Sequence, residues 1–205
     1  MAYPTVSAPY GFKPVNRQDG MPYAGATTQY AIKSVTTTIK NGDLVYINAG
    51  EIAKSGVTNN STTATNYTAG VFMGCQYVNT QGQTVQAQYY PGNAAASSAI
   101  AYVVVDQNAA FKVAVTNGSG VMSSTTVGAI GVNLVVDQTG TGSTITGDSG
   151  IGVTAPSAGL GNSASYPVKV IGVVPETATS ATAFPEVFVV LTNPQMTRAT
   201  GVDFA

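Results

Sequence analysis

Cys75 carries the only thiol in the chain, and no histidine stands anywhere in the sequence to take its proton. A thiol becomes a nucleophile as the thiolate, which needs a base, a cation or a helix dipole close by. The familiar serine and cysteine triads and all histidine-containing metal sites are therefore closed to this protein. Cys75 lies in the alternating run "AGVFMGCQYV" (69–78), with Val71, Met73 and Tyr77 on its own face. That setting predicts a buried packing cysteine.

Carboxylates offer the next chemistry. "DSG" at 148–150 matches the aspartic-protease motif, in which two carboxylates share a proton. There the motif follows an apolar strand; here "TITG" precedes it in a glycine-rich stretch, which predicts a turn. Asp43, Asp106, Asp137 and Glu186 fall at strand ends, with no spacing for a catalytic pair or a calcium loop, and are expected to be solvated turn formers. "GIGVTA" (150–155) and "GLGNSA" (159–164) match the looser dinucleotide fingerprint, which requires a strand before it and a helix after it. Pro156 follows the first and a strand starting near Tyr166 follows the second, so neither qualifies. "Tyr89-Tyr90-Pro91-Gly92" reads as a strand end entering a turn. The expectation is a structural protein with no catalytic residues, no metal and no cofactor.

The elements around these residues are strands. β-branched residues at period two dominate, with turn chemistry between the runs. "QYAIKSVTTTI" (29–39) and "GDLVYIN" (42–48) read as a hairpin across Asn41-Gly42. "AGVFMGCQYV" (69–78) and "QTVQAQYY" (83–90) read as a second hairpin. "AIAYVVVDQ" (99–107), "AAFKVAVT" (109–116), "IGVNLVVDQ" (130–138), "YPVKVIGVV" (166–174) and "PEVFVVLT" (185–192) complete the set. Polar loops are expected at 55–67 and at 139–165, the latter crossing a surface, and one short helical turn within 123–132. The two "VVDQ" segments have unlike flanks and read as strand ends, not a repeat. The fold class is all-β, a sandwich or barrel.

Charge is the unusual axis. Eight Lys+Arg and nine Asp+Glu make 8% charged residues, with a net charge of −1, against roughly 25% in ordinary soluble proteins. This excludes the basic footprint of a nucleic-acid binder and the basic face of a membrane-surface helix. A lone cysteine excludes an internal disulfide framework. "MAYPTVSAPY" has neither the charge nor the apolar core of a signal peptide, and the longest apolar runs fall far short of the ~20 residues that span a bilayer. Folding in a cytoplasm is expected.

The start of the chain is distinct. In "APYGFKPVNRQDGMPYAG" (8–25), Pro9, Pro14 and Pro22 alternate with Tyr10, Phe12 and Tyr23 beside Lys13 and Arg17. Proline fixes φ and removes a donor, so the stretch is neither helix nor central strand. Residues 1–25 are predicted to be an extended arm that makes few contacts with its own body. The rest divides into a β-rich first half (26–95), a β-rich second half (96–192) that forms either a separate unit or one body with the first, and an extended tail (193–205) that Pro194 detaches from the last strand.

"APYGFKPVNRQDGMPYAGATTQYAI", "GVFMGCQYVNTQGQTVQAQYYPG", "AYVVVDQNAAFKVAV" and "YPVKVIGVV…FPEVFVVLTNPQ" together resemble virion structural proteins of tailed, chiefly aquatic, bacteriophages. More loosely, Gly42 to Val45 and Ala69 to Gly74 resemble the "GD-L-V" and "AGVF-G" strands of the phage lambda type of head decoration protein. The resemblance implies a β-tulip-like body and a capsid decoration (cement) protein on the outside of the virion; the alternatives are another virion component (a fibre, head-tail or minor shell protein) and a bacterial surface or adhesin module. It implies the major capsid protein as partner and a homotrimer as the oligomer. It also implies that the arm binds a neighbour by β-augmentation, with Tyr10, Phe12 and Tyr23 as anchors and Lys13 and Arg17 beside them.

Overall fold

A computed structural model describes residues 6–34, 37–56, 68–92, 96–116, 130–154, 166–177, 184–192 and 194–195. Its strands are β1 (Lys13–Arg17), β2 (Thr28–Ala31), β3 (Ile39–Lys40), β4 (Leu44–Asn48), β5 (Glu51–Lys54), β6 (Gly70–Asn79), β7 (Thr84–Ala87), β8 (Tyr89–Tyr90), β9 (Ala96–Val104), β10 (Ala109–Ala114), β11 (Asn133–Asp137), β12 (Gly152–Thr154), β13 (Val168–Val173) and β14 (Glu186–Leu191). The protein is all-β. Helical content among the described residues is confined to one short 3-10 turn, Pro175–Thr177, and to Gln195.

Two sheets carry the fold. One runs β2-β9-β6-β4-β5, with β7 paired to the far part of β6; the other runs β1-β10-β14-β13-β11-β12. Each closes on itself through a single parallel bridge, Ile32 to Ile52 in the first and Val115 to Val153 in the second. Lys33 N donates to Ile52 O in one closure, and Thr116 N donates to Val153 O in the other. Closure removes most of the unpaired edge that an open sheet would leave.

The two closed units are the same motif. Counted along the chain, the strands of the first are β2, β4, β5, β6, β9 and of the second β10, β11, β12, β13, β14. Both are ordered first-fifth-fourth-second-third, and every ladder within them is antiparallel. Register extends the match to single residues. Superposing the ladders equates 28–33 with 111–116, 44–48 with 133–137, 51–53 with 152–154, 70–75 with 168–173 and 100–105 with 186–191. Even the β-bulge recurs, between Phe72 and Gly74 in one unit and between Val170 and Gly172 in the other.

Equivalent positions fill equivalent cores. Ile32, Val45, Ile52, Phe72, Ala101 and Val103 line the first unit, and their counterparts Val115, Leu134, Val153, Val170, Val187 and Val189 line the second. The units then join. Leu44, Val71 and Val104, which lie side by side across three strands on the outer face of the first unit, are buried in the core cluster of the second. The boundary between halves therefore lies after β9, not at 95/96, and the halves form one body.

Four expectations need correction. The extended stretch is not a detached arm: β1 is the edge strand of the second sheet, paired to β10. Pro14 is tolerated because it sits on an edge, next to a bulge. Asn41-Gly42 makes a turn, closed by Asp43 N donating to Lys40 O, but not a hairpin, since β3 pairs with β8 and β4 with β5 and β6. The bulge at Met73 flips the alternation of β6, so Cys75 shares a face with Phe72 and Tyr77 while Val71 and Met73 face the other core. The described part of 139–165 is no surface loop: Ile151 and Val153 are core residues and β12 lies within it. Glycine permits the fit, as a Cβ on Gly140 would fall 1.9 Å from Gly150 O. Most of the 55–67 loop, residues 123–129, "GLGNSA", and Val202 and Phe204 of the tail lie outside the described residues. At the start of the tail, Gln195 is tied to the body: its N donates to Thr68 O, and its side-chain amide bonds both N and O of Ile47.

Candidate functional site

Three segments far apart in sequence cross at one place: the start of β1, the turn before β4, and the stretch leading into β12. The crossing is made first by backbone. Phe12 N donates to Gly42 O, Gly42 N to Phe72 O, and Gly11 N to Ile151 O. Gly11 and Gly42 both have positive φ, and a Cβ on Gly11 would lie 2.9 Å from Gly42 Cα. Only glycine permits two backbones to touch in this way.

Side chains lock the crossing. Lys13 Nζ donates to Asn41 Oδ1 at 2.7 Å and to Asp148 Oδ1 at 2.6 Å, while Asn41 Nδ2 donates to Met73 O at 2.8 Å. Asp43 is 0% exposed. Its carboxylate accepts from Ser149 Oγ at 2.6 Å, Lys40 N at 2.8 Å and Lys54 Nζ at 2.9 Å. A buried charge persists only when it is paired and hydrogen-bonded in this way. The strand-end reading of Asp43 as a solvated turn former is thus overturned, as it is for Glu186, which is also buried. Ser149 is also buried and accepts from Ile151 N, so its hydroxyl is held against the carboxylate. The cluster is a fastener.

A second knot sits on the same edge. Tyr10 OH donates to Glu186 Oε1, Lys112 Nζ lies 3.1 Å from the same oxygen, and Lys112 stands 5.7 Å from the Tyr10 ring centroid. Burial, then the Glu186 carboxylate, pushes the Tyr10 hydroxyl well above its ordinary value. Arg17 pairs with Asp19 at 3.2 Å and Asp106 at 3.6 Å. Tyr23 OH donates to Ala26 O, and burial followed by Asp106 raises its hydroxyl too. Phe12 is 0% exposed and packs edge-on against Phe111, ring centroids 6.3 Å apart.

All five residues assigned to partner binding, Tyr10, Phe12, Lys13, Arg17 and Tyr23, are engaged within the chain. Phe12 in particular is a core residue and not an anchor offered to a neighbour. Sequence reasoning missed Asn41, Asp43, Ser149 and Glu186. The local signal was Asp43 three residues after Lys40, the spacing of a side-chain cap on a turn; the long-range partners leave no local signature.

Cys75 donates weakly to Tyr89 O at 3.4 Å, and burial pushes its thiol up to about 12. It borders an open depression of about 290 Å³, lined also by Met73, Gly74, Gln86, Ala87, Gln88 and Tyr102. A thiol so far from ionisation is inert at neutral pH. Among the described residues, no three His, Cys, Asp or Glu side chains gather as a metal site, and no helix is long and apolar enough to cross a membrane.

Fold and site together define a class: an all-β chain built from two copies of one small closed sheet, fastened by buried polar knots. No protein-family model, curated protein or solved structure matches this chain.

Proposed function

We propose that this protein is a structural component of a tailed-phage virion, a decoration protein that binds the outer face of the shell built by the major capsid protein and is not an enzyme. The observation that carries the reading is where the scarce charge goes. Lys13 with Asp148, Lys112 with Glu186, and Asp43 with Ser149 tie together segments distant in sequence, as suits a chain that must keep its shape on an expanded shell. The four resembling segments support the same reading.

Attachment then uses exposed groups, not the buried rings near the N-terminus. Ile145 is the strongest candidate. It is 97% exposed, at the tip of a turn held by Ser143 Oγ, which accepts from Ile145 N and Thr146 N. A pre-ordered apolar tip loses little entropy on docking.

The test is to add purified protein to shells assembled without it, sediment them, and image the complex. The expected result is density on the outer surface, and binding weakened on the order of tenfold by Ile145→Asp. Density confined to the tail or a single vertex, or no co-sedimentation, overturns the reading.

A further inference from the structure

The repeated unit identifies a vacancy. In the second unit, the outer edge of β10 is filled by β1, with Lys13 opposite Lys112 and Asn16 opposite Ala110. Residues 110–112 of β10 correspond to 27–29 at the start of β2. Among the described residues, no strand pairs with that edge of β2. Ile32 N donates to Ala99 O, so Thr28 and Tyr30 bond β9 as well, and alternation turns the N–H and C=O groups of Thr27 and Gln29 outward. Residues 24–29 are exposed.

The edge also lacks protection. Natural edge strands are blunted by charge, proline or a bulge. β1 has all three: Lys13 and Arg17, Pro14, and a bulge between Pro14 and Asn16. From Tyr23 to Ile32 there is no charge and no proline.

We propose that the β2 edge is a strand-docking site and that its occupant is the β2 edge of a second copy of this chain, antiparallel across a twofold axis. Thr28 faces the partner subunit's Thr28, and Thr27 and Gln29 exchange backbone hydrogen bonds with the partner subunit's Gln29 and Thr27. Self-pairing is favoured because Thr28 meets the partner subunit's Thr28 and Thr27 meets the partner subunit's Gln29 with no charge on either strand, whereas an edge carrying like charges would repel its own copy. Threonine opposite threonine is a favourable cross-strand pair. The product is a dimer, where the resemblance to decoration proteins implies a trimer, and it does not depend on shell binding.

The test is sedimentation of the purified chain over a range of concentrations, with amide exchange and two variants. The expected results are a doubled mass and slow exchange at Thr27 and Gln29. Gln29→Pro removes an outward N–H that the β9 ladder does not use, so it is expected to yield a folded monomer. Thr28→Cys is expected to link two copies on mild oxidation, because the facing Cβ atoms lie roughly 5 Å apart in such a pair, with Cys75 too buried to compete. A monomer at every concentration, a trimer, or a dimer that survives Gln29→Pro without Thr28→Cys cross-linking overturns the proposal. A monomer with protected Gln29 overturns it too, since the edge would then be filled from within.

Discussion

The two units share one set of ladders yet present opposite outer faces. Across the second, fourth and fifth strands of the first unit runs the row Leu44, Val71, Val104; at the equivalent positions of the second unit stand Asn133, Lys169 and Val190. The first row is apolar and buried in its neighbour's core, whereas Lys169 is exposed. Asn133 and Val190 are themselves buried, so the contrast rests on one position: Val71 docks in the neighbouring core, whereas its equivalent Lys169 faces solvent. The turn between the second and third strands differs as well. It is Ala49-Gly50 in the first unit, both at positive φ, and the whole stretch 138–151 in the second, which returns to fasten the crossing at Asn41 and Asp43. One frame occurs twice in a single asymmetric body, and the two copies differ in their outer face and in the length of one connection, with the inner ladders alike.

The sharpest way to break that contrast is to give each unit the other's residue. Val71→Lys places an ammonium in a core with no acid arranged to receive it. The expected cost is above about 4 kcal/mol, enough to prevent cooperative folding, read as loss of the urea transition. Lys169→Val, the reverse exchange, changes an exposed site, so its expected effect on stability is within about 0.5 kcal/mol. If both variants fold equally well, the row at 71 does not join the units.

A smaller effect separates the two bulges. Gly74 has φ +147°, and a Cβ there would lie 3.0 Å from Ala87 O, because β7 crosses the first unit at this point. At Gly172 the nearest atom to a Cβ is Phe188 Cδ2, at 3.4 Å. Gly74→Ala is expected to cost about 1–3 kcal/mol through backbone strain, and Gly172→Ala less than about 1 kcal/mol. Equal costs in denaturant titrations would mean that β7 adds no constraint.

These residues also mark what sequence could and could not reveal. Strand positions were readable because alternation of apolar and polar residues is local, and nine of the runs described above correspond to strands of the two units or their hairpin. The duplication was not, since identities at equivalent positions are confined to Ala31 and Ala114, Gly74 and Gly172, Val103 and Val189, and Val104 and Val190. Cores of this kind accept any apolar side chain of suitable volume, so register persists where identity does not. Proline spacing at 9, 14 and 22 correctly excluded a helix and a central strand, yet nothing local says whether an extended segment completes its own sheet or a neighbour's. The polar crossing was invisible for the same reason: Lys13, Asp43 and Ser149 are neighbours only after both sheets have closed.

A last contrast appears only in alkali and concerns Cys75, whose equivalent is Val173. Exchanging it for the residue of the other unit, Cys75→Val, keeps an apolar side chain of similar size, so stability at pH 7 is expected to change by less than about 1.5 kcal/mol. The difference appears in alkali. In the unfolded chain the thiol ionises near 9.0, whereas burial in the fold delays ionisation to about 12. Between those values the unfolded state binds fewer protons than the folded one, so stability falls as pH rises. The full contribution is present below the unfolded value and is lost through the folded one, at no more than about 1.4 kcal/mol per pH unit. Tyr10, Tyr23, Tyr77 and Tyr90, all raised by burial, add a loss of the same sign in both proteins. Cys75 also helps to raise Tyr77 and Tyr90, so subtracting the two urea-derived profiles leaves the thiol plus its effect on these two hydroxyls, both of one sign: Cys75→Val should gain on the parent steadily from pH 9 upward. Parallel profiles across that range would show that the thiol ionises as easily in the folded protein as in the unfolded chain, and that the core of the first unit is wetter at Cys75 than its packing implies.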